Sequence, residues 1–240
     1  MMKVHLVIPC YNEEASLIKL YQELINFGNE DKFKFYILNN GSTDSSADVI
    51  SSLPVTSGIK FLNLENNKGY GYGVNFGLNQ LDKADFIGWF HGDLQFELSN
   101  LIEIFEIIQK TTFDEKNFDE KNIFFKGIRI ERSLLSRFFS FFMGISASIL
   151  LKGKYYEINA QPTIFSYNLL SFITNPPSDF SFDTYVFWLA KKHKYIFLRK
   201  KVKFPNREFG NSKWDFGLKS KINFSYKNLK YLLKLKRINK

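Results

Sequence analysis

The 240-residue chain has one cysteine, Cys10, so it can form neither an intrachain disulfide nor a cysteine-built zinc cluster. Packing has to hold it together, and so sparing a use of thiols fits a reducing compartment. With only 6 prolines there is no proline-rich linker, and with 3 histidines no histidine-rich metal tract. Long uncharged apolar runs are also missing. The best stretch, 134–151, is interrupted by Arg137. Its uncharged part, Phe138–Leu151, would cover only ~21 Å as a helix against ~30 Å of bilayer hydrocarbon. It is expected to be buried or to lie in an interface, not to span. Val4–Ile8 is too short for a signal peptide and leads directly into sequence that looks folded.

Acidic residues are scarce in one half. Residues 1–120 hold 9 Lys+Arg and 18 Asp+Glu, whereas residues 121–240 hold 24 and 6. After Asp215 no acid remains, while eight cations follow. Such asymmetry implies two jobs, the second facing an anionic partner: nucleic acid, a phosphorylated substrate or an acidic membrane surface. Within residues 216–240, Ile222, Tyr226, Leu229 and Leu233 share one helical face. A basic amphipathic tail of this kind is either a membrane-surface element or a surface helix packed on its domain. Phenylalanine is abundant, with 27 residues, and Phe138, Phe139, Phe141 and Phe142 crowd together between basic positions.

Along the first half, strand and helix signals alternate. Strands are predicted over Val4–Ile8, Phe33–Leu38, Ile59–Leu64 and Phe86–Phe90. The intervening helices run from Asn12 or Ser16 to Phe27, over Ser45–Leu53, over Gly71–Leu81 and from Ser99 to Lys110. Repeated βα units predict a largely parallel sheet with right-handed crossovers. Residues 113–122 read Phe-Asp-Glu-Lys-Asn twice, an exposed loop with no assigned chemistry. Beyond it come a strand over Phe124–Ile130, a possible strand over Tyr155–Phe165, a helix over Phe182–Lys192 and a strand over Tyr195–Phe204.

Each early strand ends in a polar cluster. These are Pro9-Cys10-Tyr11-Asn12-Glu13-Glu14, Asn39-Asn40-Gly41-Ser42-Thr43-Asp44, the glycine-rich Asn67–Gly77 and His91-Gly92-Asp93. Open α/β sheets bind ligands in the crevice outside the carboxyl ends of their strands. Asp93, at the lip of its strand beside Gly92, is therefore either a ligand-binding carboxylate or the cap of a helix beginning near Leu94. Four clusters in succession favour a nucleotide crevice, with Asn and Glu reading base and ribose and helix N-termini holding phosphates. A dinucleotide-binding dehydrogenase would show one glycine-rich turn after its first strand, which Pro-Cys-Tyr-Asn is not.

In this order the motifs resemble family 2 glycosyltransferases of GT-A fold, the group that includes dolichol-phosphate mannose synthase and bacterial polyprenyl-phosphate sugar transferases. The matching residues are Val7-Ile8-Pro9-x-Tyr11-Asn12-Glu13-Glu14, Asn40-Gly41-Ser42-Thr43-Asp44 and Asn67-x-Gly69-x-Gly71. They continue with Asp93-Leu94-Gln95, Gly127-x-Arg129 and Arg207-x-x-Gly210-x-Ser212-Lys213-Trp214. The resemblance implies an α/β, Rossmann-like fold: a mostly parallel central sheet flanked by helices, plus the basic C-terminal tail. Residues 1–215 would form the transferase domain, with a nucleotide-sugar half over 1–110 and an acceptor half over 123–215.

The resemblance also implies roles. Pro9, Tyr11 and Glu13 shape the nucleoside pocket, Asn40 contacts the base and Lys68 lies near the diphosphate. Asp93 holds a divalent metal, Mn²⁺ or Mg²⁺, with the diphosphate, and Gln95 sits beside the donor sugar. Arg207, Ser212 and Lys213 close over the diphosphate, Arg129 and Arg132 meet an acceptor phosphate, and Asp183 is the acid beside the acceptor. The reaction is one displacement at the anomeric carbon, helped electrostatically by the cation and nearby Lys and Arg. A hydroxyl acceptor needs a general base, for which Asp183 is the candidate. A polyprenyl phosphate, with its second pKa near ~6, needs positioning instead.

Three departures stand out. His91-Gly92-Asp93 replaces the usual Asp-x-Asp, and an imidazole at His91 suits Mn²⁺ better than Mg²⁺ if it is a ligand. Asn39-Asn40 replaces an acidic pair, and Gln161-Pro162-Thr163 stands where the polyprenyl-phosphate enzymes carry Gly-Phe-Arg. The expectation is an inverting transferase acting on a polyprenyl phosphate or lipid-linked acceptor. It would be cytoplasmic and held peripherally at the inner face of the membrane. The alternatives are transfer to a sugar hydroxyl of a surface polysaccharide, or a non-catalytic nucleotide- or RNA-binding protein. The Gly-aromatic strand motifs of common RNA modules are missing, so nucleic acid is not an expected partner.

Overall fold

The computed structural model describes residues 1–113, 122–130, 133–203 and 217–238. Four βα units come first: β1 (Val4–Cys10), α1 (Glu14–Phe27), β2 (Phe33–Asn40), α2 (Ser46–Ser52), β3 (Ile59–Leu64), α3 (Tyr70–Asn79), β4 (Phe86–Trp89) and α4 (Asn100–Thr112). Then follow β5 (Ile123–Ile130), α5 (Leu134–Leu150), β6 (Thr163–Ser166), a 3-10 turn (Tyr167–Phe172), α6 (Ser181–Lys192), β7 (Ile196–Lys203) and α7 (Gly217–Ile238). The seven strands among the described residues join one sheet in the order β3-β2-β1-β4-β6-β5-β7. The β1–β2, β2–β3, β1–β4 and β5–β7 pairs are parallel; the short β6 runs antiparallel to β4 and to β5.

The sheet is apolar on both faces because its strands alternate between two cores. Val7, Ile87, Trp89 and Phe124 pack with Val74 of α3 and Phe182 and Phe187 of α6. Leu6, Ile8, Phe90 and Phe125 pack on the other face with Leu17 and Leu20 of α1 and Leu101 and Phe105 of α4. In α1, Leu17, Leu20 and Leu24 recur at helical spacing and are buried, and the helix stops at Gly28 with φ 60°.

Two expectations need correction. No helix begins near Leu94; this residue has φ 59° and α4 starts only at Asn100, so Asp93 is not a helix cap. The strand anticipated over Tyr155–Phe165 shrinks to β6, because the backbone before it bonds locally. Tyr155 N–H donates to Ser148 Oγ at 2.9 Å and Ala160 N–H to Glu157 O at 3.1 Å.

Helix α5 is buried only at Met143, Gly144 and Ala147. Its outer face leaves Leu134, Leu135, Phe138, Phe141, Phe142, Ile145 and Ile149 exposed. Helix α7 packs against α5 and α6 through Asn228, Leu232 and Leu235, while Tyr226, Leu229 and Leu233 point outward. Three residues of the stripe that the sequence singles out thus lie on the outer face of α7; the side chain of the fourth, Ile222, is outside the described ones. Among the described residues no helix is long and apolar enough to cross a membrane.

Candidate active site

Parallel pairing of β1, β2, β3 and β4 carries their four polar ends to one edge of the sheet. There the clusters hold one another. Asn12 N–H donates to Ser42 Oγ at 3.0 Å, Glu13 N–H to Ser46 Oγ at 3.0 Å, and Ser45 N–H to Glu14 Oε2 at 2.8 Å. The starts of α1 and α2 are therefore tied to each other: the first residue of each helix accepts from the backbone N–H just before the other. Pro9, Tyr11 and Glu13 remain partly exposed along this edge.

Asn40 is turned inward. It is 3% exposed, its amide reaches Gly69 O at 3.4 Å, and it lies so close to Gly73 that any side chain there would overlap it. Gly69, at φ 109°, also has no room for a Cβ beside Ser178 O, and Tyr72 N–H donates to that carbonyl at 3.1 Å. The start of α3 is thus tied to the segment before α6, and Tyr70 stacks on Phe180 with ring centroids 4.3 Å apart. Lys68 is exposed, its ammonium 5.1 Å from the Tyr72 ring centre.

Asp93 is 5% exposed, and its Oδ1 accepts from Gln95 N–H at 3.2 Å. Its Oδ2 lies 3.9 Å from His91 Nδ1. Burial first, then the charges of Glu13 and Asp93, push the Cys10 thiol well up, so Cys10 marks the place where the first and fourth strand ends meet. A buried carboxylate oxygen beside a half-buried imidazole is a donor pair that fits one divalent cation, with the remaining ligands supplied by a diphosphate. Among the described residues no third His, Cys, Asp or Glu completes a protein-only metal centre.

In the second half of the sheet, Asp183 lies in the first turn of α6 at 2% exposure, and its Oδ1 accepts from Lys126 Nζ at 2.8 Å. Lys126, from β5, is fully buried and also donates to Thr163 Oγ1 of β6 at 2.6 Å. Burial pulls its ammonium down to about 8 although Asp183 draws it back up, so it stays charged at neutral pH. Tyr70 joins the two sides. Its hydroxyl accepts from Trp89 Nε1–H at 2.8 Å and lies 3.2 Å from His91 Nε2, which is itself 3.2 Å from Gln161 Nε2. Burial, then the charge of Asp183 and a hydrogen bond to it, hold the Tyr70 phenol well above its usual range.

Arg129 is ion-paired with Glu157 at 2.8 Å. Arg132, Arg207, Ser212 and Lys213 lie outside the described residues. Sequence reasoning gave no role to Tyr70 or Lys126, and it marked Gln161 only as a departure from the polyprenyl-phosphate pattern. Lys126 had left a signal: it shares the inward parity of Phe124, where a lone cation is out of place unless a buried partner waits.

A parallel half with polar strand ends, joined through one antiparallel strand to a second half, is the architecture of the GT-A glycosyltransferases. Solved structures carry the same fold. Mycobacterium tuberculosis glucosyl-3-phosphoglycerate synthase in complex with phosphoglyceric acid matches at TM-score 0.68 and 11% identity, over 98% of this chain and 80% of that one. Another structure of that synthase contains Mn²⁺, uridine diphosphate and glucosyl-3-phosphoglycerate; it matches at 0.65 and 12%, over 98% and 80%. Staphylococcus aureus TarS, residues 1–349, matches at 0.55 and 15%, over 86% and 59%.

Residues 5–115 match the family described as Glycosyl transferase family 2. This match takes in just under half of the chain. A dolichyl-phosphate β-glucosyltransferase of Dictyostelium discoideum is 30% identical over 82 residues, 30% of this chain and 25% of the relative. A poly-β-1,6-N-acetyl-D-glucosamine synthase of Staphylococcus epidermidis is 27% identical over 77 residues, 32% and 18%. The chain thus spans at most about a quarter of either curated relative.

Proposed function

We propose that the chain transfers a sugar, with inversion at the anomeric carbon, from a nucleotide sugar to a polyprenyl phosphate or similar lipid-linked phosphate. The reaction takes place at the cytoplasmic face of a membrane. The observation that carries this reading is the outward face of α5. Seven large apolar side chains stand exposed there, on the helix that follows the strand bearing Arg129. Soluble domains rarely leave so dense an apolar patch uncovered. The neighbouring α7 adds exposed Lys227, Lys230, Lys234, Lys236 and Arg237, suited to anionic headgroups.

Pro9, Tyr11 and Glu13 line the nucleoside pocket, and Asn40 supports its wall from behind. Lys68 neutralises diphosphate charge, joined by Arg207, Ser212 and Lys213 as the donor is enclosed. Asp93 and His91 would hold the divalent cation, and Gln95 orients the donor sugar. When bound, the cation neutralises charge on the leaving diphosphate. Its nitrogen ligand favours Mn²⁺ over Mg²⁺. Arg129 and Arg132 receive the acceptor phosphate, Arg129 by exchanging Glu157 for it.

A second reading, transfer to a sugar hydroxyl of a polysaccharide, draws support from the Arg129–Glu157 pair, which already occupies one of the arginines intended for phosphate. The two are separated by a transfer assay with UDP- and GDP-sugars, Mn²⁺ or Mg²⁺, and either undecaprenyl phosphate or a glycan oligomer. A glycolipid from undecaprenyl phosphate is expected. Turnover with the glycan alone would replace the first reading by the second.

A further inference from the structure

We propose that Lys126 is a positioning residue that keeps Asp183 a hydrogen-bond acceptor and thereby restricts transfer to acceptors that arrive already ionised. The inference rests on the transferase reading above and narrows its acceptor. Three strands and a helix converge on one ammonium group. Nζ of Lys126 in β5 donates to Asp183 Oδ1 of α6 at 2.8 Å and to Thr163 Oγ1 of β6 at 2.6 Å. It lies 5.7 Å from the ring centre of Trp89 in β4, a favourable place for its remaining charge. Neither member of the pair is more than 2% exposed, so water cannot screen it and neither side chain can swing away without unpacking the sheet from α6.

A general base must take up a proton. Protonating Asp183 would leave Lys126 as an uncompensated cation in a dry site, which is strongly unfavourable. The other group facing the carboxylate, the Tyr70 hydroxyl, is itself a held proton donor, and Arg129 and Arg199 add further positive charge around Lys126. Asp183 is therefore committed to its buried partner here. A neutral hydroxyl, or water, gains little from it. A phosphate acceptor is indifferent, because it has no proton to surrender. The same lock suppresses donor hydrolysis, in which a water oxygen bonds to the anomeric carbon, its proton passes to Asp183, and the carbon–oxygen bond to diphosphate breaks with the electron pair leaving on the diphosphate.

The test uses the full chain with Mn²⁺ and UDP-glucose, UDP-N-acetylglucosamine or GDP-mannose. Undecaprenyl phosphate and undecaprenol serve as acceptors, one lipid with and without the charge. Glycolipid and total nucleoside diphosphate are both measured. The intact chain should use the phosphate at least ~100-fold better than the alcohol, the scale on which general-base assistance acts. Lys126→Met should raise the ratio of hydrolysis to transfer at least ~10-fold and narrow the preference for phosphate, because it frees Asp183 to act as a base. Lys126→Arg, which keeps the charge, should restore both ratios. Adding Asp183→Asn to Lys126→Met should return hydrolysis to the original level.

If Lys126→Met does not fold, Lys126→Gln carries the same expectation, since it keeps a donor to Asp183 without the charge. Unchanged ratios in a folded, cooperatively melting neutral variant would overturn the inference. So would an equal rise with Asp183→Asn present, which would mean that loosening merely admits water. An intact chain that prefers undecaprenol overturns it while leaving the transferase reading standing. An intact chain that neither hydrolyses nor transfers any donor removes that reading, and this inference with it.

Discussion

Asn12 and Thr43 hold each other across two loops: Asn12 Nδ2 donates to Thr43 Oγ1 at 3.0 Å, and Thr43 N–H donates back to Asn12 Oδ1 at 2.8 Å. The first comes from the end of β1 and the second from the end of β2, so this exchange fixes the mouth of the proposed nucleoside pocket. Asn12 sits at φ 56°, a conformation that asparagine tolerates better than most residues. Asn12→Ala should lose both bonds and add backbone strain, about 2–3 kcal/mol in all. Asn12→Gly should recover about 1 kcal/mol of that, because only the bonds are lost. Urea melts of the two variants measure the difference. Equal stabilities would mean that the loop relaxes around position 12.

Asp93→Asn should leave the fold intact and remove both donor turnover and Mn²⁺ binding measured by titration calorimetry. His91→Asp, which creates an acidic pair on either side of Gly92, should keep activity and shift preference toward Mg²⁺. A folded Asp93→Asn protein with normal turnover would end the metal assignment. An unchanged metal profile in His91→Asp would remove His91 as a ligand.

At the opposite edge of the sheet, Asp82 accepts from Lys34 Nζ at 2.7 Å, Lys60 Nζ at 2.9 Å and Tyr36 OH at 2.9 Å. These partners, Lys34 first, hold its carboxyl far below the usual value of 3.8. A depressed folded pKa stabilises the protein above the unfolded value, and the contribution fades as pH falls through the folded one. Asp82→Asn should therefore lower Tm at pH 7, with the gap to the parent closing below about pH 4. Asp82 is 49% exposed, so the gap should be modest and should shrink with salt. A gap independent of pH would assign the loss to packing.

For the proposed membrane face, removing α7 outright would strip the buried Leu232 and Leu235 from the core and uncover α5 and α6 beneath them, so side-chain changes are the cleaner probe. Changing Lys227, Lys230, Lys234 and Lys236 to Gln should abolish the salt-sensitive part of binding to anionic vesicles, on the order of 1 kcal/mol per lysine. Changing Phe138, Phe141 and Phe142 to Ser should abolish the part that survives high salt. Sedimentation reads both. If the intact chain stays in the supernatant with anionic vesicles at low salt, the apolar face serves something other than lipid.

The order of strands and helices was legible in the chain because local signals carry it. Short apolar runs such as Phe33–Leu38 and helical spacings such as Leu17–Leu20–Leu24 report burial through a few neighbouring residues. The polar strand ends were legible for the same reason, and parallel pairing then sufficed to gather them at one edge. Only the tertiary structure decided what the individual polar groups do. Asn40 turns in under α3, the outer rather than the inner face of α7 carries Tyr226, Leu229 and Leu233, and the backbone before β6 bonds locally instead of extending the sheet. Most of all, it decided that Lys126 and Asp183, 57 residues apart, meet buried from solvent. A one-dimensional pattern shows each charge beside its chain neighbours. Whether a charge is screened by solvent or locked against its opposite depends on which distant elements close over it, and that is settled only when β5, β6 and α6 pack together.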